Sequence, residues 1–116
     1  DNIKHTVMAS RMLNDGVDNR LEASRRGNHA SKVSVFEAFY LATTGGGEAL
    51  KLPLGLFKEG YICDFQVIDI NTPTNKLPNY LNNEEDNHLL QKILYLSTSE
   101  NIREVWVQGK QILKKD

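Results

Sequence analysis

SVFEAFYLATTGGGEALKLPLGLFKEGYICDFQVID, residues 34–69, is the stretch that decides the fold of this chain. It reads as a helix, a glycine break, a second short helix, a turn and a strand. Ser34 has N-cap chemistry, and Glu37 stands three residues on, where its carboxylate can reach back to the Ser34 amide. Behind that cap, Val35, Phe36, Phe39, Tyr40 and Thr43 recur at helical spacing and predict one apolar face. Ala38 and Ala42 are small and leave room for a close neighbour. Gly45, Gly46 and Gly47 are expected to stop this helix over residues 34–44, with at least one at positive φ, because glycine takes the left-handed conformation of a helix end. Residues 48–52 restart a turn or two, and Pro53 ends it. Three glycines also invite a phosphate-loop reading. Such a loop follows a strand, opens a helix and carries Gly-Lys-Ser/Thr. Here the glycines follow a helix and that tripeptide is missing, so a helix junction is the better reading.

Outward from this stretch, the chain has 116 residues, enough for one domain with a modest core. Fourteen basic residues face 15 acidic ones, a net charge of -1, which gives no reason to expect nucleic acid or an anionic membrane as partner. The mean hydropathy of -0.46 is that of a soluble chain. No apolar run approaches the roughly 20 residues of a membrane span, and no signal peptide is visible. The single Cys63 excludes an internal disulfide and fits a reducing, cytoplasmic compartment. Residues 1–13 read as a helix through Ile3, Val7, Met8, Met12 and Leu13. It is already under way at Asp1, as in a piece of a longer polypeptide. Residues 14–32 read as an exposed loop with a helical turn near residues 21–25. Arg25, Arg26 and Lys32 form a small basic cluster without the aromatic platform that nucleic-acid binding would need, so a solvated loop is the reading. After the strand, with Phe65 and Val67 on one face and Ile68 and Ile70 on the other, residues 71–87 read as a loop around Pro73 and Pro78. A helix follows at about residues 86–96. Residues 102–107 and 111–113 flank Gln108-Gly109-Lys110, a β-hairpin signal with Gly109 free to take a positive φ.

The chemistry-bearing residues are scattered. His5, His29 and His88 lack the short spacing of a metal motif and default to surface histidines. Ser97, Thr98 and Ser99 have no base placed beside them by sequence. Cys63, between a turn and a strand, reads as a small core residue rather than a reactive thiol. Glu48 and Asp64 are the available carboxylate pair. No credible active site emerges from these residues.

Two motifs nevertheless carry a resemblance. Ala42, Thr43, Gly45, Gly46, Ala49 and Leu50, followed by Gly55, Phe57, Gly60, Asp64 and Phe65, resemble the C-terminal signature of the amidohydrolase superfamily, with Cys63 where alanine is usual. Gln91, Lys92, Leu94, Tyr95 and Leu96, then Asn101, Ile102, Glu104, Val105, Trp106, Val107, Gly109 and Lys110, resemble the close of the guanine deaminase family. Ile3, Val7, Met8 and Ser10 resemble that family's helix after the last barrel strand. The resemblance covers most of the chain and thins over residues 14–32 and 71–86.

This resemblance implies an α/β fold: the C-terminal part of an amidohydrolase (β/α)8 barrel plus strands of a flanking β-sandwich, the fragment itself being α+β. Residues 1–52 would be the terminal barrel helices, and residues 53–116 the sandwich strands with one helix. The implied activity is zinc-dependent hydrolytic deamination of guanine to xanthine and ammonia, in purine catabolism. The zinc lowers the pKa of a bound water to about 7. The implied zinc ligands, proton-shuttling glutamate and guanine contacts lie upstream of Asp1. No residue of this chain is therefore assigned a catalytic, substrate-binding or metal role, and no zinc is expected in the chain alone. A homodimer is expected, with open strand edges at residues 65–70 and 102–107 pairing with another chain. Two alternatives stand beside this. One is another deaminase of the superfamily, acting on a pyrimidine, a triazine or a different purine. The other is a non-catalytic α+β interaction module, compact, monomeric and with its strand edges paired.

Overall fold

A computed structural model describes residues 1–78 and 85–116. Helix α1 spans Asn2–Asp15 and closes on Gly16, whose φ of 71° lets its N–H reach the Met12 carbonyl. It runs two residues beyond the expected end. Its buried side chains are Val7, Ser10 and Asn14. The expected apolar stripe is therefore only partly inward: Met8, Met12 and Leu13 face out, more than half exposed. Ser10 explains the choice of face. Its hydroxyl donates to the Val7 carbonyl and accepts the Val33 N–H at 3.1 Å, fastening α1 to the entry of the next helix. The expected loop begins after α1, at residue 16, and carries one 3₁₀ turn at Ala23–Arg25. The loop is pinned where Gly16 and Gly27 cross: a Cβ on Gly27 would lie 2.1 Å from the Asn14 carbonyl oxygen.

Helix α2, Val35–Ala42, opens with the expected capping box: Glu37 N–H donates to Ser34 Oγ, and the Ser34 N–H donates to the Glu37 carboxylate. Its buried residue is Ala38, while Phe36 and Tyr40 of the expected apolar face are exposed. The glycine break falls elsewhere than expected. The chain turns at Thr43 (φ -123°, ψ -98°), and helix α3, Thr44–Leu50, contains all three glycines in its interior. None of them has a positive φ; the left-handed residue is Lys51, which ends α3 ahead of Pro53. The glycines serve close approach instead. A Cβ on Gly47 would meet the Leu54 carbonyl oxygen at 2.3 Å, and one on Gly45 would meet the Tyr40 ring at 2.9 Å. Gly55 at φ 82° then lays its backbone against the Thr43 carbonyl, and Thr44 Oγ1 donates to the Gly55 carbonyl at 2.9 Å. The stretch 43–55 is thus a helix folded tightly against its own exit segment.

Strand β1 is Phe65–Ile68, two residues shorter than expected, and helix α4 is Asp86–Leu96, as expected. The part of the anticipated 71–87 loop at residues 79–84 lies outside the described residues. Strands β2, Ile102–Val107, and β3, Lys110–Lys114, make the expected antiparallel hairpin, pairing Val105 with Leu113 and Val107 with Lys110. Its two-residue turn puts both Gln108 (φ 51°) and Gly109 (φ 73°) at positive φ. The sheet order is β1-β2-β3, so β2 is central and paired on both sides. The expectation of an open edge at residues 102–107 therefore fails. Among the described residues the outer strands are β1 and β3. No helix of the described residues is long and apolar enough to cross a membrane.

Candidate functional site

The two stretches that carry the sequence motifs fold into one unit. The Asp64 carboxylate accepts the Gln108 N–H at 2.7 Å, and the Cys63 carbonyl accepts the Gly109 N–H at 2.8 Å. The hairpin turn is thereby latched to the entry of β1. Beside the latch, the Phe65 and Trp106 rings stack at 5.4 Å between centroids and 11° between planes, and Phe57 meets Phe65 edge-on at 6.0 Å. The Trp106 indole N–H donates to the Glu104 carboxylate at 2.7 Å. Asp64 is structural, as its place at the strand entry suggests.

A second node lies at the other end of the sheet. Asn101 is fully buried. Its Nδ2 donates to the carbonyls of Asp69 and Asn75, both at 2.8 Å, and its Oδ1 accepts from Asn75 Nδ2 at 2.7 Å and the Thr98 N–H at 2.9 Å. All four hydrogen-bonding positions of the amide are used. The knot joins the loop after β1 to the 3₁₀ turn before β2. Thr72 adds a buried hydroxyl that donates to the Asn75 carbonyl, and Arg103 pairs with Asp69 at 3.5 Å. Sequence reasoning missed this knot. The available signal was Thr98 three residues before Asn101, the spacing of a capping box, which the structure shows closed.

The remaining candidates are not brought together. His5, His29 and His88 are all exposed. Cys63 is exposed too, against the expectation of a core residue. Ser97 turns its hydroxyl back onto the Ile93 carbonyl at the end of α4, and Thr98 caps the following turn through the Glu100 N–H. Glu48 accepts a hydrogen bond from the Tyr40 hydroxyl at 2.7 Å, while Asp64 is engaged at the hairpin, so these carboxylates do not act as a pair. That bond to Glu48 holds the Tyr40 phenol above its usual pKa, since ionising it would discard the bond. Asp18 is held below the usual carboxylate range by its hydrogen bonds from Arg20. Arg26 donates to the Leu21 carbonyl, which ties one member of the basic cluster to its own loop. Among the described residues, no three His, Cys, Asp or Glu side chains converge to hold a metal ion.

The sequence matches the amidohydrolase family over residues 3–112. Guanine deaminases from Rattus norvegicus and Homo sapiens are each 32% identical to it over 120 residues, covering 97% of this chain and 24% of their own length. A 5-methylthioadenosine/S-adenosylhomocysteine deaminase from Thermococcus onnurineus is 29% identical over 75 residues, covering 65% of this chain and 16% of that protein. The crystal structure of guanine deaminase from Bradyrhizobium japonicum superposes on the whole chain with a TM-score of 0.63 at 22% identity, using 27% of that structure. The chain therefore spans about a quarter of the length of the relatives it matches.

Proposed function

This chain belongs to the amidohydrolase family, and from that premise we propose that it is the C-terminal portion of a guanine deaminase, hydrolysing guanine to xanthine and ammonia in cytoplasmic purine catabolism. The observation that carries the reading is the extent of the match to guanine deaminases, which runs through 97% of the chain. It includes both segments joined by the Asp64–Gln108 latch. Residues 1–52 are read as terminal helices of a (β/α)8 barrel, and residues 53–116 as strands of the flanking sandwich with helix α4. The described residues do not fit a zinc site: the three histidines are exposed, and among the described residues no three His, Cys, Asp or Glu side chains gather to hold a metal ion. No catalytic step is therefore derived from this chain. Zinc, the proton-transferring groups and the guanine contacts are assigned to the remainder of the enzyme, and the chain's own part is to brace that remainder.

A second reading, a deaminase of another purine, draws on the relative that acts on 5-methylthioadenosine and S-adenosylhomocysteine. That similarity covers 65% of the chain, against 97% for guanine deaminases, which favours guanine. The test is a guanine-to-xanthine absorbance assay with metal analysis on the full-length gene product and, separately, on residues 1–116. Turnover of guanine by the former, with stoichiometric zinc, and neither property in the latter, is the expected result. Turnover of an adenosine derivative in place of guanine would overturn the substrate. Zinc and activity in the 116-residue chain would overturn the assignment of the site.

A further inference from the structure

The loop after α1 leaves the molecule and returns to it at one point. Gly16 and Gly27 cross so closely that a Cβ on Gly16 would stand 2.4 Å from the Gly27 nitrogen, and the Asn28 N–H donates to the Leu13 carbonyl at 2.9 Å. Residues 17–26 form the excursion, a loop whose ends meet. None of them is buried, and Val17 and Leu21 are 81% and 45% exposed. Their hydrogen bonds run within the loop: from Arg20 and Leu21 to Asp18, from Arg25 to Glu22, and from Arg26 to Leu21 and Ala23. Local opening therefore uncovers no buried side chain and breaks no hydrogen bond to the rest of the fold, which sets its free energy near the low end of the range for a folded chain.

We infer that this loop is a cleavage site for an arginine-directed endoprotease, cut between Arg25 and Arg26. A protease of that class holds the arginine in a pocket with a carboxylate at its base and takes exposed segments that open locally. Water adds across the Arg25–Arg26 peptide bond. The C–N bond breaks, the water oxygen joins the Arg25 carbonyl carbon, and its proton goes to the Arg26 nitrogen, leaving a new carboxylate and a new amine.

Arg25 is the residue that suits the pocket. It is exposed, and its side chain makes no hydrogen bond or ion pair among the described residues. Arg20 is committed to the Asp18 carboxylate through two bonds of 2.9 Å, and Arg26 to the Leu21 carbonyl through Nε at 2.6 Å. Lysines elsewhere sit on tied backbone. The Lys58 carbonyl accepts the Tyr61 N–H, Leu77 beside Lys76 is 3% exposed and donates to the Ile70 carbonyl, and Lys110 and Lys114 lie in β3. The cut does not release α1. Pieces 1–25 and 26–116 stay joined by the Asn28–Leu13 bond, by Ser10 on the Val33 N–H at 3.1 Å, and by Lys4 on the Tyr95 carbonyl at 3.3 Å. Cleavage severs the covalent link between α1 and α2 and leaves the non-covalent one.

The inference is independent of the guanine reading, because its test reads mass and not turnover. Trypsin at a low ratio is applied under native conditions to the full-length gene product and, in parallel, to residues 1–116. Intact-mass spectrometry is expected to show the first internal cut after Arg25 in both. The two pieces should co-elute in size-exclusion chromatography and separate only in denaturant. Arg25→Gln should abolish that product, since glutamine brings no cation to the protease pocket. Arg20→Gln should leave it forming at the same rate. A first internal cut after Arg20, Lys32 or Lys58, pieces that part without denaturant, or a full-length product that resists cutting at Arg25 would each overturn the proposal.

Discussion

Replacing Gly47 by Ala sets two effects against each other. Gly47 is helical with an ordinary backbone, so alanine should gain about 0.5–1 kcal/mol of helix propensity there. The new Cβ, however, would stand 2.3 Å from the Leu54 carbonyl oxygen and 3.2 Å from the Leu52 carbonyl oxygen. Both obstacles are backbone, and they are held: Leu52 N–H donates to the Gly47 carbonyl and Thr44 to the Gly55 carbonyl. Overpacking of this kind costs about 1–3 kcal/mol, and an immovable neighbour places it at the upper end. The clash therefore wins, with a net loss of about 1–2 kcal/mol. At about 4 °C per kcal/mol for a domain near this size, Tm should fall by roughly 4–8 °C. Gly46→Ala is the control. Its Cβ meets the Leu41 carbonyl oxygen at 3.2 Å, and the propensity gain should leave Tm unchanged or slightly higher. Thermal melts followed by circular dichroism distinguish the two. Equal losses at both positions would refute the close-approach account and return the glycines to a purely conformational role.

Other changes test the remaining nodes. Asn101→Ala strands the partners of four hydrogen bonds in a buried site and should destabilise by at least about 2 kcal/mol in denaturant unfolding. Gly109→Val puts a β-branched residue at φ 73° and should cost on the order of 1 kcal/mol or more; an unchanged Tm would remove the turn assignment. For pH, the Tyr40 phenol is raised in the folded chain, so its contribution is present below the ordinary tyrosine pKa and lost as pH rises through the folded value. Asp18 is lowered, so its contribution is present at neutral pH and lost as pH falls through its folded value. Tyr40→Phe should remove from an absorbance titration a phenol that ionises above the ordinary tyrosine value.

Local chemistry was legible in the sequence, and partner choice was not. The Ser34–Glu37 capping box, the bounds of α4 and the Gly109 hairpin each rest on residues within a turn of one another, so their physics is contained in the string. The glycine triad misled because glycine answers two needs, positive φ and close approach, and only the position of Leu54 tells which applies. The outward turn of Met8 and Met12 depends on Ser10 finding Val33, 23 residues away. The Asn101 knot likewise gathers Asp69 and Asn75 from 32 and 26 positions off. Among the described residues no three His, Cys, Asp or Glu side chains gather to hold a metal ion, so the sequence had no such cluster to signal there.

The unity of the two motif segments can itself be measured. If the strand entry at Asp64 and Phe65 and the hairpin at Trp106 to Gly109 are one cooperative piece, mutations on either side must be coupled. Phe65 and Trp106 are Cα partners in the β1–β2 register, and their rings stack at 5.4 Å. Such a pair is worth about 0.5–1.5 kcal/mol beyond the area it buries. Phe65→Leu and Trp106→Leu each remove that stacking while keeping an apolar side chain. Each single change should carry the full stacking loss, and the double change should carry it once. The double variant should then be less destabilised than the sum of the single variants by about 0.5–1.5 kcal/mol in a denaturant-unfolding cycle. Phe57, edge-on to Phe65 at 6.0 Å, has no ring contact with Trp106 among the described residues, so Phe57→Leu with Trp106→Leu should couple more weakly. Strict additivity for Phe65 and Trp106 would mean that the hairpin and the strand entry are held by their backbone latch alone, and the aromatic pair would lose its place in the account.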